Sequence, residues 1–132
     1  MNTANQNIKP ITTKINNNGN IEIGGCDLVG LANEYGTPLY VFDEQTIRSI
    51  CKSYKDAFKD YPHINMMFAS KAFMTKAMCK IMQQEGFGLD LCSGGEIYTA
   101  QSSGFDMSKT LFNGNNKSYD ELAFALDCAI GT

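Results

Sequence analysis

The sequence has little of several things that define whole classes of protein. No run approaches the roughly 18 to 20 uninterrupted apolar residues that a membrane-spanning helix needs. No basic region followed by an apolar stretch opens the chain, so the pattern of a secretory signal is missing. There is a single histidine, His63, and the cysteines Cys26, Cys51, Cys79, Cys92 and Cys128 contain no CxxC pair. An odd number of thiols beside one imidazole argues against a zinc site or a disulfide framework, and for a reducing, cytoplasmic setting. Charge of one sign is scarce too. A net charge of -3 gives no basic field, so neither nucleic acid nor a membrane surface is expected as a partner. The neighbouring Lys76 and Lys80 read as a solvated helix face.

What remains is a globular balance. The 132 residues are 43% hydrophobic and 19% charged, enough for one ordinary core. Residues 1–20, rich in Asn and Thr, read as a mobile leader. Residues 21–62 read as a lead-in of helix, strand and helix. Asp27 can cap the first helix, on which Leu28, Leu31, Ala32 and Tyr35 share a face before Gly36 ends it. Leu39 to Phe42 is β-prone, and Asp43 can cap a second helix bearing Ile47, Ile50, Cys51, Tyr54 and Phe58 on one side.

From residue 63 to 132 the pattern repeats. Ile64 to Ala69 is a mostly apolar run, as expected of a strand buried on both sides. A helix follows with Met74, Ala77, Met78 and Ile81 on one face. Gly88 to Cys92 is a second strand, followed by a helix from about Gly95 to Ser102. Thr110 to Phe112 is a third strand. Ser118 and Glu121 then form a capping box for a helix with Leu122, Ala125, Leu126 and Ala129 facing inward. The class is α/β: about three βα units of a parallel sheet, matching the N-terminal part of a (β/α)8 TIM barrel that is not closed. The chain ends after a helix where a strand should follow, which favours this fragment over a small open sheet complete in itself.

In parallel α/β folds, ligands bind where strands run into helices. Three polar clusters fall there: Ser70-Lys71-Ala72, Cys92 to Glu96 with Asp90 just inside the strand, and Asn113 to Lys117. Lys71 is either a solvated lysine at a helix start or, desolvated beside an apolar strand, an amine nucleophile suited to an aldehyde. Ser93-Gly94-Gly95-Glu96 is either the tight turn a βα loop needs or a phosphate cradle, although Glu96 would repel an anion. Asp90 needs a partner, whether in a structural ion pair or in a site network. The Asn-rich turn is equally a turn former and a ligand contact.

At these residues the chain resembles the fold-type III pyridoxal-phosphate-dependent decarboxylases related to alanine racemase. The likeness rests on Tyr35 to Asp43, Phe68 to Ala72, Gly88 to Glu96 and Phe112 to Ser118, in the family's order and spacing, and it spans roughly residues 22–131. Within the family it is strongest to the branch serving lysine synthesis. The resemblance implies that Lys71 is the family's Schiff-base lysine, in a motif usually read YAxKA, with Phe68 here for Tyr and Phe73 where Asn is common. It implies that Asp90 is an aspartate of the cofactor site. Pyridoxal phosphate is the implied cofactor, a small amino acid the implied substrate and decarboxylation the implied reaction. It also implies a homodimer with a shared active site and a C-terminal β-domain against which residues 21–62 pack. The glycine-rich phosphate loop, the carboxylate facing the pyridine nitrogen and the catalytic cysteine are expected beyond residue 132, so the fragment alone is expected to be inactive. Sister decarboxylases acting on ornithine, arginine or carboxynorspermidine, and a non-catalytic pyridoxal-phosphate carrier, are the alternatives.

Overall fold

The computed structural model describes residues 8–132, and the chain divides into two compact units between Ala57 and Phe58. The first unit opens with a small antiparallel sheet of β1 (Lys14–Ile15), β2 (Ile21–Ile23) and β3 (Cys26–Asp27), in that order. A mobile leader through residue 20 is therefore corrected from residue 14 onward, and residues 1–7 lie outside the described residues. The Asn-rich stretch is turn chemistry. Asn16 Oδ1 accepts the backbone N–H groups of Asn18 and Asn20 at 3.0 Å each, and Gly19 takes a φ of 79°. Asp27 then gathers the segment. It accepts from the side-chain amides of Asn16 and Asn20 and caps α1 (Leu28–Tyr35) through the N–H groups of Val29 and Gly30.

Asp43 plays the same part for α2 (Glu44–Ala57). It is buried and accepts from the hydroxyls of Thr12 and Thr46. The β-prone run Leu39 to Phe42 is irregular and exposed rather than a strand. β propensity is expressed only where a partner strand offers a ladder, and none lies beside it among the described residues.

The second unit alternates strand and helix. β4 (Met67–Ala69) leads through a 3₁₀ turn (Ser70–Ala72) to α3 (Lys76–Gln84), β5 (Gly88–Leu91) to α4 (Gly94–Ser103), and β6 (Thr110–Phe112) to α5 (Tyr119–Asp127). The strands form one parallel sheet in the order β4-β5-β6. Beyond α5, Thr132 bonds to Thr110 O and Phe112 N as a residue paired along β6 would.

Register divides the sheet into two unlike faces. Phe68, Leu89 and Thr110 are partners, as are Leu91 and Phe112, so these five share a face. Leu89 and Leu91 are fully buried there, and Thr110 and Phe112 nearly so. Met78, Cys79 and Met82 of α3, Ile97 and Ala100 of α4, and Ala125 of α5 are buried too, with Phe87, Phe105 and Cys128 in the loops. Each fully buried leucine contributes about 1.5–3 kcal/mol. The other face carries Met67, Ala69, Gly88, Asp90 and Leu111 and is half-open. Burial of β4 on both sides is therefore corrected: an apolar run does not reveal whether one face or two will be covered.

Two helix faces also shift. On α3 the buried side is Met78, Cys79 and Met82 rather than one including Ala77, which is exposed. On α5, Ala125 faces inward with Phe124 half-buried, whereas Leu122 and Leu126 are 42% and 81% exposed and Ala129 is exposed too. The capping box sets the phase of α5, and that phase puts Glu121, Phe124, Ala125 and Cys128 on one stripe.

Gly88 has a packing reason. A Cβ there would stand 2.4 Å from both Lys109 O and Met67 Sδ. Gly88→Ala is expected to cost about 1–3 kcal/mol in urea unfolding. Gly30→Ala, in α1 with its nearest neighbour at 3.8 Å, is expected to be neutral or stabilising by up to about 1 kcal/mol. Equal effects at the two positions would contradict this packing.

Candidate active site

The carboxyl ends of β4, β5 and β6 bring the three polar loops to one rim. The ladder continues into them, with Asn113 N donating to Leu91 O at 2.8 Å. Lys71 lies in the 3₁₀ turn directly after β4, and Phe73 N closes that turn on Ser70 O at 3.1 Å. Of the two settings open to it, Lys71 has the solvated one: it is exposed and not desolvated beside the strand. Among the described residues its ammonium makes no hydrogen bond or ion pair. The other rim lysine is committed. Lys117 Nζ donates to Gly114 O at 2.9 Å and sits 4.9 Å from the centre of the Phe112 ring. The two amines are thus distinguished by what already holds them.

Asp90 is the register partner of Ala69, two residues before Lys71 in sequence. Its Oδ1 is buried and has no hydrogen-bond partner. A buried carboxylate oxygen without a donor is costly, and it marks a place where a donor fits. Among the described residues no cation pairs with Asp90, so the structural ion pair is not formed.

The turn after β5 is built from its own side chains. Ser93 caps α4 by accepting Glu96 N, and Gly94 N donates to Glu121 Oε1 at 2.9 Å. A Cβ on Gly94 would come within 3.2 Å of Glu121 Cγ, so glycine admits that carboxylate. With two of its first N–H groups taken, this helix start is a tied turn rather than an open phosphate cradle. Glu96 does not face outward to repel an anion. It turns back, accepting Cys92 N–H at 2.8 Å and the Ser70 hydroxyl at 2.7 Å. Nothing in the apolar periodicity pointed to that contact, which joins residues 26 apart.

His63, expected at the surface, is exposed. Burial pushes the thiols of Cys79 and Cys128 above their usual range, so both act as core residues. The cavity described in this unit, about 290 Å³, lies among Met67, Gly88, Ser108 and Thr132 at the amino ends of the strands, away from the rim. An exposed amine and a buried carboxylate oxygen that lacks a donor, carried at the ends of adjacent strands, suit a ligand bearing an aldehyde and polar hydrogens.

A family model described as the pyridoxal-binding domain of pyridoxal-dependent decarboxylases matches residues 44–132. The chain belongs to this family. It is 48% identical over 121 residues to a diaminopimelate decarboxylase of Bacillus methanolicus, covering 91% of this chain and 28% of that protein. A crystal structure of diaminopimelate decarboxylase from M. jannaschii superposes with a TM-score of 0.82 at 33% identity, covering 92% of this chain and 29% of that one. A second structure of that enzyme, in complex with L-lysine, gives a TM-score of 0.81 at the same identity and coverage. The chain therefore spans less than a third of the length of the relatives it matches. The barrel fragment expected from the strand–helix repeat is the fold these neighbours share. No helix among the described residues is long and apolar enough to cross a membrane.

The Glu121 tie has a pH signature. Hydrogen bonds from Ser118 N–H, Gly94 N–H and the Ser118 hydroxyl hold its carboxyl below the ordinary value of 4.5. A depressed folded-state pKa means stability that is fully present above the unfolded value and lost as pH falls through the folded one. Glu121→Gln should therefore lower stability at neutral pH and flatten the acid limb of a stability-against-pH curve below about pH 5. Parallel curves for the two proteins would count against this.

Proposed function

We propose that the complete protein carrying this chain is a pyridoxal-phosphate-dependent diaminopimelate decarboxylase. It would release carbon dioxide from meso-2,6-diaminopimelate and leave L-lysine. The observation that carries this reading is the exposed, uncommitted amine of Lys71 on the rim that also holds the donor-less oxygen of Asp90, in a chain of a pyridoxal-binding family. The substrate is supported by what the relatives are named, and L-lysine, present in one M. jannaschii structure, is the product such a reaction leaves.

In this reading Lys71 would hold the cofactor covalently through its side-chain amine. Asp90 Oδ1 accepts a hydrogen from the bound group or from Lys71 itself. When bound, pyridoxal phosphate supplies an electron sink for the pair left behind by the departing carboxylate. Lys71 Nζ, when not attached, would be free to carry a proton. Lys117, held by its own loop, orders the third turn. The exposed Leu39, Tyr40, Val41 and Phe42 would be covered by a C-terminal domain, and the complete protein would act as a cytoplasmic homodimer sharing its sites.

Carbon dioxide release by the purified complete protein, offered diaminopimelate, ornithine, arginine and carboxynorspermidine in turn, tests the reading. Turnover is expected with diaminopimelate. Lys71→Ala is expected to lower it at least about 1000-fold and Asp90→Asn about 10-fold or more. Preference for another of the amino acids would reassign the substrate. Cofactor binding without release of carbon dioxide from any of them would mark a carrier and overturn the proposal.

A further inference from the structure

We infer that Ser70 and Glu96 form a clasp that positions Lys71 against Asp90, making both of them positioning residues for attachment of pyridoxal phosphate. The inference rests on Lys71 being the attachment point. Ser70 is 1% exposed, and its Oγ lies 2.5 Å from the carbonyl oxygen of Asp90 and 2.7 Å from Glu96 Oε2. The hydroxyl has one proton, so it serves one acceptor at a time and is held between the two.

Glu96 gathers more than Ser70. Its Oε2 also accepts Cys92 N–H at 2.8 Å, and its Oε1 is 3.3 Å from the Ser93 hydroxyl. One carboxylate thus fastens the turn after β4 to the turn after β5. The residue just before the amine is bonded to the backbone of the residue that bears the donor-less oxygen.

Two further observations give this contact a purpose beyond packing. The 3₁₀ turn carrying Lys71 has no side-chain cap from Ala69, and Ala69 before it and Ala72 within it are exposed. A three-residue turn with so little of its own to fix it depends on an outside anchor. Among the described residues no cation pairs with Glu96, so a half-buried carboxylate is held by neutral donors alone. That is a poor device for stability and a good one for specifying a single arrangement.

The test uses the complete protein as wild type, Ser70→Ala, Glu96→Ala, Glu96→Gln and the double alanine variant. For each, the rate and affinity of covalent capture of pyridoxal phosphate are followed by absorption and confirmed by borohydride trapping, beside urea stability. Ser70→Ala and Glu96→Ala are expected to slow capture about 10- to 100-fold per folded molecule, as displacement of a reacting group does. The double variant should be no worse than the poorer single one, because the two share one contact. Glu96→Gln keeps an acceptor oxygen and should recover most of the rate. Wild-type capture by folded Ser70→Ala, or additive losses, would overturn the clasp while leaving the proposed function standing. Ser70→Ala, the mildest change, decides the matter if Glu96→Ala does not fold. Failure of the wild type to form any bond at Lys71 would sink the proposed function and this inference together.

Discussion

β5 is hydrogen-bonded on both sides, and its two leucines are sealed beneath the helices. Leu89 and Leu91 are fully buried on the covered face, and strand alternation then leaves Asp90 no choice but the opposite one. Turning Asp90 inward would require slipping the strand by one residue and exposing both leucines, at about 1.5–3 kcal/mol each. A buried hydrophobic pair thereby determines where a carboxylate stands. The rest of the site follows, because the loops after β4 and β6 reach the rim only through their pairing with β5.

The same asymmetry explains the composition of the sheet. The covered face takes Phe68, Leu89, Leu91 and Phe112, while the half-open face takes Ala69, Gly88 and Asp90. On the open face Met67 fills the space against Gly88, and the polar residue on that face sits at the carboxyl end where chemistry is done in this architecture. Glu96 and Glu121 then tie adjacent turns to one another, Glu96 across the first two loops and Glu121 from α5 back to Gly94. Backbone N–H groups that could have faced a ligand are used to hold the rim in shape.

Much of this was legible in the residues. The strand Thr110–Phe112, the caps at Asp27 and Asp43, and the Ser118–Glu121 box each have local signals that hold whatever surrounds them. The convergence of three loops on one rim followed from the strand–helix repeat, and four motifs in register pointed to the family that residues 44–132 match. What was not legible depends on distant neighbours. Whether β4 is covered on one face or two, whether Leu39 to Phe42 finds a partner strand, and which side of α5 turns inward are decided by tertiary packing. Glu96 is the plainest case. Its sequence position suggested a charge facing a ligand, and its partner is a serine 26 residues away. The hairpin at Lys14 to Ile23 was hidden by Asn-rich composition that marks turns as readily as mobile chain.

Two rim lysines differ in one respect: Lys117 is committed to its loop and Lys71 is not. Adding pyridoxal phosphate to the complete protein, reducing with borohydride and mapping the modified peptide by mass tests that difference directly. The modification is expected on Lys71. A label on Lys117 or Lys76 instead, or no label on any lysine of this chain, would contradict the account.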